Sequence, residues 1–267
     1  MGNKLTLQIR NKSGEVLAEN CAEDCLNLYY SPVYEEGDEI VLKTEQTGVY
    51  VRMKLDDAMD EAFCYLTEEE FIFRIPFGEK RTSYSPRVFS GERHLLHVCM
   101  AREEEWTAYR NLAVNPADQH VHYGCFPHAS ANVETRGEAV FAARNAIDGV
   151  TENHSHGTWP YASWGINRQD DAKIRLEFGR MVEIDRMVIY TRADFPHDNY
   201  WVSGTFRFSD GSVLKMPLTK TDRPQEITFP KKKVEWITLD ELIKGDDPSP
   251  FPALTQWEVW GQCEKNL

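Results

Sequence analysis

Residues 141–164, FAARNAIDGVTENHSHGTWPYASW, gather side chains that build a site rather than a fold. His154, His156, Trp159 and Tyr161 stand within a short span, with Asp148, Gly149 and Asn153 just before them. Two other loop-like stretches carry the same mixture, TRADFPHDNYW over 191–201 and GDDPSPFPAL over 245–254. A sugar presents an apolar face of C–H groups and a rim of hydroxyls, so its site needs an aromatic plate beside a few fixed polar groups. Trp159, Tyr161, Trp201 and Phe251 are the candidate plates. His154, His156, Arg192, Asp194, His197 and Asn199 are the candidate polar groups, and Arg192 with Asp194 also reads as a plain salt bridge. Phe251 lies between Pro250 and Pro252, which hold it at low entropic cost.

The histidines admit a second chemistry. On a strand, His154-x-His156 puts both rings on one face as a workable zinc pair, and His197 beside Asp198 could serve as a general base next to a carboxylate. No H-E-x-x-H motif, nucleophile elbow or glycine-rich phosphate loop accompanies them. Binding is therefore the leading reading, and a glycan-processing hydrolase or lyase is the competing one. His94 and His97 flank Leu-Leu in an expected strand, where a structural histidine is the default. Cys21 and Cys25 lie four apart with no second pair at matching spacing, so a zinc ribbon is not supported.

Composition narrows the partners. A net charge of −13 argues against nucleic acid and anionic membrane, because phosphate binding rests on clustered Lys and Arg. The basic run Lys231–Lys233 reads as a solvated strand edge. The N-terminal MGNKLTLQIRNKSGEV has no apolar signal-type stretch, so a cytoplasmic protein is expected, or an extracellular one if a signal preceded it. The six cysteines suit a reducing compartment.

The elements that must position these loops read as strands. LTLQI, EIVLKT, VYVRMKL, AFCYL, FIFRIPF and HLLHVCMA alternate with turn signals in the first half, and Leu5, Leu7 and Ile9, like Val49, Val51 and Met53, show the two-residue period of half-buried strands. Residues 111–124, NLAVNPADQHVHYG, lose that pattern and mark a boundary. AKIRLEF, VEIDRMVIYTR, GTFRFSD, VLKMPL, EITFP, VEWITL and TQWEVWG follow, and a short helix is expected over 138–147. The expectation is an all-β protein of two β-sandwich domains, 1–118 and 119–267. The first offers no comparable cluster of site residues and reads as a packing or presenting module, which leaves homo-oligomerisation and a scaffold role open.

The A-x-D-G sequence at 146–149, the tryptophan shortly after it and the W-E-V-W-G ending at 257–261 resemble the discoidin or coagulation-factor C-type domain. More narrowly, they resemble bacterial carbohydrate-binding modules with a galactose-binding-like jelly roll, over residues 126–261. The resemblance implies non-catalytic carbohydrate binding through loops at one end of the sandwich. It also implies a structural Ca²⁺: the carboxylate of Asp148, carbonyls of Asn145, Val150 and Thr255, an oxygen of Asn153, and Gln256 where relatives place a closing carboxylate. A neutral amide there binds calcium less strongly, and Asp148 and Asn153 could instead simply satisfy turn donors. Trp164 is implied to fill the core, leaving Trp159 and Tyr161 for the surface. Relatives outside the cell commonly tie the domain ends by a disulfide, which would join Cys125 and Cys263; without a signal, free thiols are expected.

Overall fold

The computed structural model describes residues 2–154, 157–193 and 199–263. The first half contains β1 (Lys4–Arg10), β2 (Val16–Glu23), β3 (Cys25–Tyr30), β4 (Glu39–Thr44), β5 (Val49–Lys54), β6 (Ala62–Leu66), β7 (Glu70–Arg74) and β8 (His94–Met100). Two very short strands follow, β9 (Arg110–Asn111) and β10 (Cys125–Phe126). The sheets run β2-β1-β4-β7 and β10-β6-β5-β8-β3. Their inward positions, among them Leu5, Leu7, Ile9, Leu42, Val51, Met53, Phe73, Leu96 and Val98, form one apolar cluster. Alternation decides this: in β5 the buried residues are Val49, Val51 and Met53, while their neighbours are half-exposed.

The second half contains β11 (His128–Ala131), β12 (Trp164–Gly165), β13 (Ile174–Thr191), β14 (Trp201–Phe208), β15 (Val213–Pro217), β16 (Gln225–Lys244) and β17 (Ala253–Gln262). AKIRLEF and VEIDRMVIYTR, expected as separate strands, are one continuous β13, and EITFP joins VEWITL in β16. The ladder between them shifts register between Glu177 and Val182 and again between Ile184 and Arg186. Such irregularities bend a strand. The first part of β13 pairs with β11 and its later part with β17, so the bent strands serve both layers of the sandwich. Trp164, Trp201, Phe206, Phe208, Ile237 and Trp257 fill the space between.

The expected helix over 138–147 is instead two 3₁₀ turns, Ala139–Phe141 and Ala143–Ile147. Ala142, at φ −71° and ψ 152°, breaks the run. Trp201, read from sequence as a loop aromatic, begins β14 and is 0% exposed, 6.4 Å from the Trp164 ring. It offers no plate to a ligand.

Residues 110–131 stitch the halves together. β9 pairs with β17 of the second half, whereas β10 pairs with β6 of the first. Between them Asn115 is fully buried: its Nδ2 donates to the Pro127 carbonyl at 2.8 Å, and its Oδ1 accepts from Ala117 N–H at 3.0 Å and the Cys64 thiol at 3.3 Å. Gln119 exchanges hydrogen bonds with the Arg74 backbone of β7. Asp118 accepts from His128 Nδ1 at 2.7 Å and from Ala129 N–H at 2.9 Å. Such interior polar groups are costly unless paired, and here they are paired.

Burial opposes protonation of His128, yet the hydrogen bond and charge of Asp118 outweigh it and hold the imidazolium above the ordinary histidine value of 6.5. A raised folded-state pKa stabilises fully below the unfolded value and is lost as pH rises through the folded one. Asp118→Asn is therefore expected to destabilise the chain more at pH 5.5 than at pH 9, read from urea midpoints at both values; an equal loss at both would contradict the charged pair.

Candidate functional site

The pocket is assembled from that seam outward. Arg144 is buried, its Nε donating to the Asp118 carbonyl at 2.8 Å and its Nη2 to the Pro116 carbonyl at 3.1 Å. Its guanidinium lies 4.4 Å from the Tyr84 ring of the first half, and its Nη1 donates to Asn145 Oδ1 at 3.0 Å. Asn145 in turn donates to the carbonyls of Ala139 at 2.8 Å and Ser163 at 3.3 Å. Glu79 accepts from Ala139 N–H at 2.6 Å. These bonds fix the 3₁₀ turn that carries Phe141 and the short strand that carries Gly165.

Phe141 and Gly165 then form one wall of a cavity of about 200 Å³. Thr135, Arg136, Ile166, Asn167 and Arg168 continue it, and Arg192, Phe251, Pro252 and Ala253 close the other side. This volume lies below the roughly 300–1,000 Å³ of drug-sized sites, so it suits one ring. Gly165 is required by proximity: a Cβ there would lie 2.6 Å from Thr135 Oγ1 and 3.2 Å from the Phe141 ring. Arg136, Asn167 and Arg168 all have positive φ, at 54°, 49° and 62°. Side chains in that region cost roughly 1–2 kcal/mol each and recur at binding sites, where surrounding contacts enforce them. Asn167 N–H is held by Thr135 Oγ1 at 2.9 Å.

The pocket combines plates with donors. Phe251 is 37% exposed, with the Arg168 guanidinium 4.4 Å from its ring centroid. Arg136 lies 5.7 Å from the Phe141 ring and is paired with Glu138 at 2.6 Å. Arg192, which lines the cavity, is 1% exposed, its Nη1 donating to the Tyr161 carbonyl at 3.1 Å. Cavity, aromatic rings and guanidinium donors together can stack a ring face and bind its hydroxyls.

Of the residues singled out from sequence, Arg192 and Phe251 meet in this pocket. Tyr161 sits behind Arg192, its ring centroid 5.8 Å from the guanidinium carbon. Trp159 is 38% exposed on the neighbouring loop, and His154 is exposed there too. Asn199 is buried and structural, donating to the Gly245 carbonyl and accepting from Tyr200 N–H. His156, Asp194 and His197 lie outside the described residues. The sequence reading missed Phe141, Gly165, Asn167 and Arg168. Trp164 is in the core, its Nε1 donating to the Val133 carbonyl at 2.9 Å, while Trp257 is buried and Trp260 only partly so.

The residues expected as calcium ligands lie in and just after the 3₁₀ turn Ala143–Ile147 and, for Thr255 and Gln256, in β17. Asp148 is buried, and desolvation pushes its carboxyl up to about 7 despite the opposing pull of Arg144 and the Val150 N–H. Both side-chain polar atoms of Asn153 and the hydroxyl of Thr255 are buried without hydrogen-bond partners among the described residues. The orphaned oxygens of Asn153 and Thr255 are of the type that a hard cation takes, whereas the orphaned Asn153 Nδ2 is a donor that a cation does not satisfy. Gln256 fits less well: its Oε1 accepts from Gly149 N–H at 3.2 Å, and its unpartnered Nε2 is a donor that no cation satisfies. Cys125 and Cys263 are free and buried.

A family model described as a domain of unknown function (DUF7402) matches residues 126–243. No curated protein matches the chain. Among solved structures, chitosan-binding module 1 of a Paenibacillus sp. IK-5 chitosanase/glucanase is similar at 23% identity and a TM-score of 0.40, covering 57% of this chain and 99% of that one. The family 32 carbohydrate-binding module of Clostridium perfringens NanJ, in complex with galactose, is similar at 18% identity and 0.39, covering 49% and 91%. Discoidin II of Dictyostelium discoideum is similar at 14% identity and 0.41, covering 52% and 56%.

Because the wall tolerates no Cβ at residue 165, Gly165→Ala is expected to lower stability by about 1–3 kcal/mol through overpacking, measured by denaturant unfolding. An unchanged midpoint would show that Thr135 and Phe141 yield freely.

Proposed function

We propose that the chain binds carbohydrate without catalysis, through the pocket bounded by Phe141, Asn167, Arg168, Arg192 and Phe251. The observation that supports this most is the pairing of exposed Phe251 with the guanidinium of Arg168 beside a one-ring cavity that Arg192 also lines. A sugar ring stacks on Phe251, and the arginines and Asn167 donate to its hydroxyls. Trp159, Tyr161 and His154 extend the surface for a second residue of an oligosaccharide. The left-handed backbone at 167–168 presents these donors before the ligand arrives, which reduces the ordering cost of binding. A structural Ca²⁺ held by Asp148 and Asn153, with carbonyl oxygens of Asn145, Val150 and Thr255, would tie the 145–153 segment to β17, with Gln256 a weak last ligand.

Isothermal calorimetry against neutral and amino-sugar oligosaccharides is expected to give saturable binding. Phe251→Ala and Arg168→Ala should each weaken it about tenfold or more, the equivalent of about 1.4 kcal/mol, with the circular dichroism unchanged. Binding that survives both substitutions would place the site elsewhere. Chelation is expected to lower the thermal midpoint of the wild type and leave Asp148→Asn unmoved; identical responses in the two proteins would contradict a calcium ion held by Asp148.

A further inference from the structure

A second cluster of reactive side chains lies in the first half, on the outward face of β3 and β8. The two strands are antiparallel neighbours with Cys25 opposite Cys99 and Asn27 opposite His97. Alternation sends Leu26, Leu28, Leu96 and Val98 into the core and leaves Cys25, Asn27, His97 and Cys99 on the other face. Cys25 and Cys99 are joined as a disulfide. His97 Nε2 lies 3.1 Å from the sulfur of Cys99 and 3.9 Å from that of Cys25. Its Nδ1 is 2.8 Å from Asn27 Oδ1. An amide oxygen only accepts, so Nδ1 carries the proton and Nε2 turns its lone pair toward the sulfurs.

We propose that Cys25, Cys99 and His97 bind a soft divalent cation of the zinc class once the disulfide is reduced. Tetrahedral zinc with thiolate and imidazole ligands places neighbouring ligand atoms about 3.5–3.8 Å apart. The two sulfur–nitrogen distances, 3.1 and 3.9 Å, bracket that separation. With the Cα atoms of Cys25 and Cys99 4.0 Å apart, separation of the sulfurs needs side-chain rotation and no change of strand pairing. The Asn27–His97 bond is the outer-shell contact that fixes ring orientation and tautomer at metal-bound histidines. A disulfide that only tied two strands would need neither the imidazole nor the amide behind it. Arg52, the β5 neighbour of Cys99, is offset by Glu105 at 3.4 Å and Glu61 at 3.8 Å. Cys25 is exposed, so water can take the fourth position.

The chemistry balances with a dithiol reductant. One dithiol thiolate attacks a sulfur of the Cys25–Cys99 bond, which breaks and releases the other cysteine; the second dithiol sulfur then displaces the mixed disulfide. The dithiol leaves oxidised, and two electrons and two protons remain on the cysteines. Metal binding then releases those protons to solvent as both thiols become thiolates.

The test uses the full chain, reduced with dithiothreitol, desalted without oxygen and titrated with Co²⁺ and then Zn²⁺. One equivalent of Co²⁺ is expected to bring near-ultraviolet thiolate-to-cobalt absorption and tetrahedral visible bands, both abolished by Zn²⁺. The oxidised chain should give neither. Cys25→Ser and His97→Ala should lose them or weaken binding at least tenfold, whereas Cys21→Ser and Cys64→Ser should retain them, with far-ultraviolet circular dichroism confirming the fold of each. Absence of the bands in the reduced wild type, or their persistence in both Cys25→Ser and His97→Ala, would overturn the proposal and leave a structural disulfide.

Discussion

Arg144 is the cation on which the candidate site depends. It is buried, and its guanidinium is held by backbone carbonyls of the linker, by the Asn145 side chain and by the face of Tyr84. A charge taken from water so completely is tolerable only when its donors are satisfied. That requirement fixes 116–118 against 144–145, and Asn145 passes the constraint to Ala139 and Ser163. The wall containing Phe141 and Gly165 is thus positioned by polar contacts that begin in the seam between the two sandwiches. Losing the guanidinium would leave several buried carbonyls unpaired at once, a larger penalty than the net worth of the individual bonds.

The first sandwich acquires a physical role from the same contacts. Glu79 holds the 3₁₀ turn at Ala139, and Tyr84 supports Arg144. Strand exchange reinforces this, since β9 joins the second half's sheet while β10 joins the first half's. The chain carries a net charge of −13, yet the pocket is lined by Arg136, Arg168 and Arg192. Glu138 offsets Arg136, whereas Arg168 lies against an aromatic ring. The local donor density is therefore a property of the site and opposes the charge balance of the whole chain.

Most strands were legible as apolar runs bounded by turn signals, whether alternating as in β6 or buried on both faces as in β4, but β3 went unread although Leu26, Leu28 and Tyr30 are buried between exposed neighbours. EIVLKT and AFCYL coincide with β4 and β6 to the residue. β2 escaped because it is an outer strand whose residues are exposed or half-exposed, so VLAENCAE carries no alternation. Gly179 and Pro230 looked like strand ends but lie within the continuous β13 and β16. In the pocket, Arg192 and Phe251 were found by loop composition. Asn167, Arg168 and Gly165 were not, because their importance lies in left-handed backbone and in close approach to Thr135 and Phe141, neither of which leaves a pattern in sequence. Trp201 misled for the opposite reason: its neighbours read as a loop, while its ring begins a core strand.

Carbohydrate binding in the Phe251–Arg168 pocket is measured most directly by an amide ¹H–¹⁵N titration of the assigned chain with an oligosaccharide that binds in calorimetry. Saturable shifts are expected at Arg136, Phe141, residues 165–168, Arg192, Phe251 and Ala253, with β3 and β8 unmoved. Shifts centred on another surface, or none that saturate, would contradict binding there.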